Sequence, residues 1–191
     1  MSNQLFIHIN QFIEVNECEF QKILTFFNLC TLNKKDTILR AGNKCNLNFF
    51  VLKGCIQMYF FNDKGIERTV RFAIENRWMT DYLAYQNKTT TDFHIQAVEI
   101  TEILAITYEK QEKLLTLFPK LEKYFRKVYE TSYGKSLLMM KYLYNFSKED
   151  IYFHFTEQSP ELAQRLPQNL IASFLGLTPE YLSKIKNKNQ S

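Results

Sequence analysis

From Thr37 onward the apolar residues come in short runs: TILR, LNFFVL, CIQMYFF, ERTVRFAI, FHIQAV and EILAIT. These runs are rich in Val, Ile, Phe, Tyr and Thr, the residues that suit a pleated, half-buried surface. Turn signals separate them: Ala41-Gly42-Asn43, Lys53-Gly54 and Asn62-Asp63-Lys64-Gly65 each place Gly where a tight turn needs positive φ, and the last predicts a hairpin. Several short strands in succession predict a sandwich or barrel. In ERTVRFAI, Val70, Phe72 and Ile74 alternate with Thr69, Arg71 and Ala73, which predicts one buried face with Arg71 turned the other way. Arg68 shares the buried parity but lies near the hairpin. Between Trp78 and Thr91 the alternation fails, so the polar stretch DYLAYQNKTTTD reads as a functional segment or a surface loop.

On either side of the strands the period lengthens. Asn16 and Glu19 form a capping box ahead of Phe20, Ile23, Leu24 and Phe27, predicting a helix over about 17–27. Residues 108–118 read as a short helix ending before Pro119, and a longer pattern then runs over 119–145, roughly 40 Å of helix at about 1.5 Å per residue. On it Leu121, Phe125, Val128, Ser132, Met139 and Tyr142 follow a three-and-four spacing, with Lys135 the one charge on the seam. That spacing suits packing on the chain's own barrel or, preferred here, on the same helix of a second copy. Ser147 caps a further helix through about 157, and Ser159-Pro160 turns the chain again.

The stretch 167–186, PQNLIASFLGLTPEYLSKIK, is the most specific. Ile171, Leu175, Leu177, Leu182 and Ile185 are spaced for two helices sharing one small core, with Ala172 small at their contact and Gly176 supplying a left-handed corner. Thr178 is an N-cap, Pro179 the first helical residue, and Glu180 an acid at the positive end of the helix dipole. A helix-turn-helix is predicted, the device whose second helix enters a DNA major groove. Thr178, Glu180, Tyr181, Ser183 and Lys184 are placed nearest bases, and Gln168, Ser173, Lys186 and Lys188 nearest phosphates.

Composition narrows the alternatives. The chain has 191 residues, 46% hydrophobic, enough for a real core, and a formal charge of +4 that permits an anionic partner without requiring one. No apolar run approaches the roughly 20 residues that span a bilayer, and the N-terminus lacks a signal-peptide pattern, so a soluble cytoplasmic protein with no membrane partner is expected. Cys18, Cys30, Cys45 and Cys55 contain no CxxC pair and are expected to be reduced, buried small hydrophobes. No nucleophile elbow, phosphate loop or metal-spaced cluster is present, so neither an enzyme nor a metal site is expected.

In this order, a Gly-punctuated β domain, a long seamed helix and a C-terminal helix-turn-helix resemble the Crp/Fnr superfamily of bacterial transcription regulators. The residues carrying the resemblance are Gly42, Val51-Leu52-Lys53-Gly54, Asp63-Lys64-Gly65, Ala97-Val98-Glu99, Leu104-Ala105-Ile106-Thr107 and the block from Ile171 to Lys186. It implies an α+β chain: a double-stranded β-helix (jelly roll, cyclic-nucleotide-binding-like) sensor over 1–118, a dimerisation helix over 119–145, and a helix-turn-helix DNA-binding domain over 146–191. The residues after Lys188 are too few for the full wing of many members.

Members that bind cyclic AMP supply Gly-Glu and then Arg-Ser to the phosphate; the corresponding residues here are Thr80-Asp81 and Thr91-Asp92. A buried cyclic phosphate needs charge-assisted donors, which Thr91 lacks, and Asp92 would repel it. Cyclic AMP is therefore disfavoured. If a small-molecule effector exists, Arg71, Trp78, Thr80, Asp81, Tyr82, Thr91 and Asp92 are the candidate contacts, with Arg71 or Arg68 replacing the missing cation and Tyr85 and His94 as further walls. The oxygen-sensing members' N-terminal cysteine cluster is missing, so no cofactor is implied. In the reading helix Glu180 keeps the family's carboxylate, but Pro179 and Lys184 stand where arginines are usual. The reading is a dimeric DNA-binding regulator, with double-stranded DNA, a second copy and RNA polymerase as candidate partners. The alternative is a ligand-binding or protein-interaction module that no longer binds DNA specifically.

Overall fold

The computed structural model describes residues 3–188. Helices α1 (Asn3–Asn10) and α2 (Glu17–Leu24) open the chain, followed by strands β1 (Asn28–Leu32), β2 (Thr37–Leu39), β3 (Leu47–Lys53), β4 (Ile56–Phe61), β5 (Glu67–Ala73) and β6 (Trp78–Met79). Helix α3 (Tyr82–Asn87) interrupts the strands before β7 (His94–Ala97) and β8 (Thr101–Thr107), and the remainder is helical: α4 (Tyr108–Leu117), α5 (Lys120–Asn145), α6 (Lys148–Gln158), α7 (Pro160–Arg165), α8 (Gln168–Phe174) and α9 (Pro179–Lys188).

The strands form two four-stranded antiparallel sheets, ordered β1-β8-β3-β6 and β2-β7-β4-β5, in a jelly-roll-like sandwich. Strand alternation sorts the core into layers. Phe49 and Val51 of β3, Met79 of β6 and Ile103 and Ala105 of β8 face the opposite sheet, whose Ile56, Met58 and Ile95 fill the interior with Tyr85 of α3. The residues between them, Phe50, Leu52, Leu104 and Ile106, face outward onto Leu5, Ile9, Phe20 and Ile23 of α1 and α2 and Leu121, Tyr124 and Phe125 of α5. Both faces of this sheet are covered, which is why its strands read as nearly continuous apolar runs. The second sheet's outer face meets the C-terminal helices through Phe72, Ile74 and Val98.

The Asn16 capping box is formed: its side chain accepts from Glu19 N–H at 2.9 Å, and the Glu19 carboxylate accepts from Asn16 N–H at 3.2 Å. Helix α2 stops at Leu24, short of the expected residue 27, because residues from Asn28 pair as a strand with β8. Near the second sheet, Gly54 at φ +93° is irreplaceable, since a Cβ there would lie 2.5 Å from Thr101 Oγ1 and 2.6 Å from Ile100 O.

Three expectations are corrected. In β5, Met58 pairs with Arg71 and Tyr59 with Thr69, so Val70 is the extra residue of a β-bulge and is 41% exposed. Arg71 therefore shares the inward face of Ala73, and Phe72 and Ile74 face the C-terminal helices. On α5, Leu121, Phe125 and Val128 pack against the outer face of the first sheet, and Met139 and Tyr142 against the C-terminal core. The expected intersubunit seam is thus largely used within the protomer, and among the apolar residues left exposed, which include Leu138 and Leu143, Tyr133, Leu137, Met140 and Tyr144 follow a three-and-four spacing. Of the cysteines, Cys45 and Cys55 are buried, whereas Cys18 is exposed and Cys30 half-buried. Burial pushes the Cys55 thiol up to about 12, with Glu99 adding to the shift. No described helix is long and apolar enough to cross a membrane.

Candidate nucleic-acid interface and effector cleft

Helices α8 and α9 meet at a corner set by local chemistry. Leu175 N–H bonds to Ile171 O at 3.0 Å, Gly176 takes φ +70°, and Leu177 N–H returns to Ala172 O at 2.8 Å. Thr178 then caps α9, its Oγ1 accepting from Tyr181 N–H at 3.2 Å. Ile171, Ala172, Leu175, Leu177, Leu182 and Ile185 are buried together with Ile151, Tyr152, Phe155 and Leu166. Opposite this core, Gln168, Thr178, Glu180, Tyr181, Ser183, Lys184 and Lys188 are exposed, and Lys186 is half-buried. Lys188 Nζ lies 3.5 Å from Glu149, a mostly solvated pair that holds it weakly.

Ser173 is placed elsewhere. Its Oγ accepts from Thr69 N–H at 2.9 Å and donates to Glu67 O at 2.9 Å, so it faces β5 and is not presented with the others. Nearby, Phe174 meets Phe72 edge-on with centroids 5.3 Å apart. Arg165, in the last turn of α7, spans the same junction: its guanidinium grips Glu75 at 2.9 and 3.2 Å and also reaches Glu99 and Glu161. Burial works to raise the Glu75 carboxyl, but the Arg165 contacts and Gly54 N–H hold it below the usual range. The C-terminal helices are thus hydrogen-bonded to the second sheet at two places.

A second feature is a cleft of about 760 Å³ between α3, α4 and α5, lined among others by Arg71, Tyr82, Tyr85, Gln111, Tyr129 and Tyr133. Gln111 orders its walls: its Oε1 accepts from Tyr85 Oη at 3.2 Å and from Asn48 Nδ2 at 3.4 Å, and its Nε2 donates to Tyr129 Oη at 3.3 Å. Tyr82 packs edge-on against Tyr129, centroids 4.9 Å apart, and its buried hydroxyl has no hydrogen-bond partner among the described residues. Burial pushes that phenol up, and Arg71, which lines the same cleft, opposes the shift. Arg71 and Ser132 also line an adjoining cleft of about 60 Å³ with Arg77 and Lys135.

The other proposed ligand residues are held elsewhere. Asp81 caps α3 by accepting from Ala84 N–H at 3.2 Å, and its second oxygen accepts from Thr91 Oγ1 at 2.7 Å. Thr80 donates to Leu47 O at 2.8 Å, and Trp78 donates to Tyr124 Oη at 2.8 Å from within the outer core. Asp92 is exposed, and His94 stacks on Tyr59. The structure brings Arg71 and Tyr82 together in the cleft; Thr80, Asp81 and Thr91 are engaged with the chain itself. The sequence reading missed Gln111, Tyr129 and Arg77. Lys135 was visible only as a charge out of place on a seam. No cluster of potential metal ligands occurs among the described residues.

Residues 29–117 match the family model described as the cyclic nucleotide-binding domain. Solved structures share the wider architecture. FixK2 from Bradyrhizobium japonicum superposes with a TM-score of 0.72 at 14% identity, covering 85% of this chain and 83% of that one. The c-di-GMP responsive global regulator CLP of Xanthomonas campestris gives 0.72 at 16% identity, with 90% of each chain covered. A CooA variant from Carboxydothermus hydrogenoformans gives 0.70 at 20% identity, covering 94% and 86%. No curated protein matches the chain in sequence. The jelly-roll-like sandwich, the long helix and the C-terminal helices are therefore the fold these solved structures share.

Proposed function

We propose that the protein is a DNA-binding transcription regulator of the Crp/Fnr type, with a sensor over 1–118, a dimerisation helix over 119–145 and a DNA-binding domain over 146–191. One observation carries this reading: the Gly176 corner buries one side of α8 and α9 and leaves Thr178 at the cap and Glu180, Tyr181, Ser183 and Lys184 on the first two turns of α9 exposed. Helix N-terminal residues of this kind reach base edges when a reading helix lies in a major groove. Glu180 can accept from a cytosine amino group, Lys184 can approach guanine, and Gln168, Lys186 and Lys188 can meet phosphates. Ser173 is omitted, because its hydroxyl is committed to β5.

Two copies would join along α5 through Tyr133, Leu137, Met140 and Tyr144, whose spacing fits an a/d seam. The effector site is the tyrosine-lined cleft with Arg71 and Tyr82, not the position of a cyclic phosphate, where Asp81 and Thr91 bond each other. A cyclic phosphate there would meet the Asp81 carboxylate with no cation to offset it. RNA polymerase is the partner through which a bound regulator would act. Selection of randomised duplexes with the full chain tests the reading: recovery of a two-fold-related motif is expected, and recovery of no sequence preference at low salt would overturn it.

A further inference from the structure

Arg71, Arg77 and Lys135 line one small cleft, together with His8, Trp78 and Ser132, and no carboxylate is among its lining residues. None of the three cations forms an ion pair among the described residues. The arrangement draws on three elements: Arg71 from β5, Arg77 from the turn before β6, and Lys135 from the middle of α5. Like charges gathered without a counter-ion repel one another, and an anion between them removes that repulsion. The Lys135 amine is held below its usual range by burial, by Arg77 and by Arg71, which agrees with this placement.

The small cleft opens beside the larger one, with Arg71 and Ser132 in both walls. At about 60 Å³ it exceeds the room a single water needs and is on the scale of a small acid head. The larger cleft offers aromatic walls and the Tyr82 hydroxyl, which has no hydrogen-bond partner among the described residues. Its acids are Glu112 of α4 and Glu122 in the first turn of α5, and Glu130 is paired with Arg126 and Lys127. From Glu122 to Lys135 the helix advances about 20 Å at 1.5 Å per residue, so one end of the groove is acidic and the other basic.

We propose that Arg71, Arg77 and Lys135 form an oxyanion receptor for the acid group of an aromatic monoacid whose ring lies among the tyrosines, with Tyr82 Oη as a further donor. This rests on the effector role assigned to the cleft. Arg71 supplies a planar fork and Lys135 a point charge, so the acid would link the β sandwich to α5. A second acid group near Glu112 and Glu122 would be repelled, which restricts the class to monoacids.

Thermal melting of the full chain at constant ionic strength tests the receptor with benzoate, phenyl phosphate, inorganic phosphate and the neutral benzyl alcohol. Benzoate or phenyl phosphate should raise Tm saturably while benzyl alcohol does not, and the stronger of the two identifies the head as carboxylate or phosphate. Lys135→Gln and Arg77→Gln should each melt no lower than the wild type without ligand and weaken half-saturation at least tenfold. Equal half-saturation in these variants, no saturable rise with either aromatic acid, or a rise with inorganic phosphate alone would overturn the proposal. DNA affinity of the same samples separates the two readings: acid binding that leaves DNA affinity unchanged removes the effector role and keeps the receptor, whereas DNA binding without any acid response removes only the receptor.

Discussion

Ser173 Oγ accepts the Thr69 amide hydrogen at 2.9 Å and donates to Glu67 O, so the first helix of the C-terminal pair is bonded to the free edge of the second sheet. A serine suited to a phosphate by its place in the sequence instead couples the two halves of the chain. Ser173→Ala leaves Thr69 N–H without its acceptor, at a cost of about 1–2 kcal/mol. A lower Tm with DNA affinity unchanged or increased is the expected outcome; a weakened complex at unchanged Tm would return Ser173 to the DNA face.

Arg165 holds the same junction by charge. Arg165→Ala leaves Glu75 with backbone N–H donors, its own and that of Gly54, and removes the partner of Glu99. Proteolysis between α7 and α8 should accelerate, and the acid limb of stability should shift. The Glu75 carboxyl is depressed, so its contribution is present above the ordinary carboxylate value and lost as pH falls through the native one. The variant should therefore lose less stability than the wild type on acidification, as chemical denaturation at pH 7 and below 4 would show.

A buried relay makes the N-terminal helix sensitive to pH. Trp78 can only donate, so Tyr124 Oη accepts from it at 2.8 Å, and the same hydroxyl lies 2.7 Å from His8 Nδ1, to which it donates when the neutral imidazole carries its hydrogen on Nε2. Burial, with Arg77 second, lowers His8 from 6.5 to about 4. The native state thus binds fewer protons than the unfolded chain between those values, and stability is intact above about 6.5 and lost as pH falls toward 4. At about 1.4 kcal/mol per unit the loss reaches up to about 3 kcal/mol. His8→Gln, which can still accept from Tyr124, should flatten the decline in Tm over that window; an unchanged decline would assign it to other groups.

Two glycines with positive φ should respond differently to alanine. At Gly176 a Cβ meets nothing within 4 Å, so the cost is that of a left-handed backbone, about 1–2 kcal/mol. At Gly54 the same backbone cost is joined by contacts at 2.5–2.8 Å to Thr101 and Ile100, and the loss should exceed about 3 kcal/mol. Denaturant titration of both variants checks the order; Gly176→Ala being the worse would mean that the α8–α9 corner is tighter than the structure shows.

Local rules made much of this fold readable. The capping box at Asn16, the cap at Ser147, the corner at Gly176 and the cap at Thr178 depend on a few neighbouring residues and are formed. Strand β1 was not readable, because NLCTL has little alternation of its own and is fixed by pairing with β8. The face assignment of β5 failed for a related reason: both sides of the strand are covered, and the bulge at Val70 changes the parity of the residues around it. On α5 the apolar stripe was real, but spacing alone does not say whether it packs on the same chain or another. The cleft was half legible. Arg71 and Tyr82 were named as candidates, whereas Arg77 meets Arg71 in the adjoining small cleft only through the turn before β6, which no periodicity reports.

The central claim, that α9 reads DNA, is tested most directly by the anisotropy of a selected duplex titrated with wild type, Lys184→Ala and Glu180→Ala over a range of salt. The expected result is a loss of about 1–3 kcal/mol for either variant on the selected sequence, a smaller loss on scrambled DNA, and affinity that falls steeply as salt rises. Affinity indifferent to both substitutions and to salt would contradict the account.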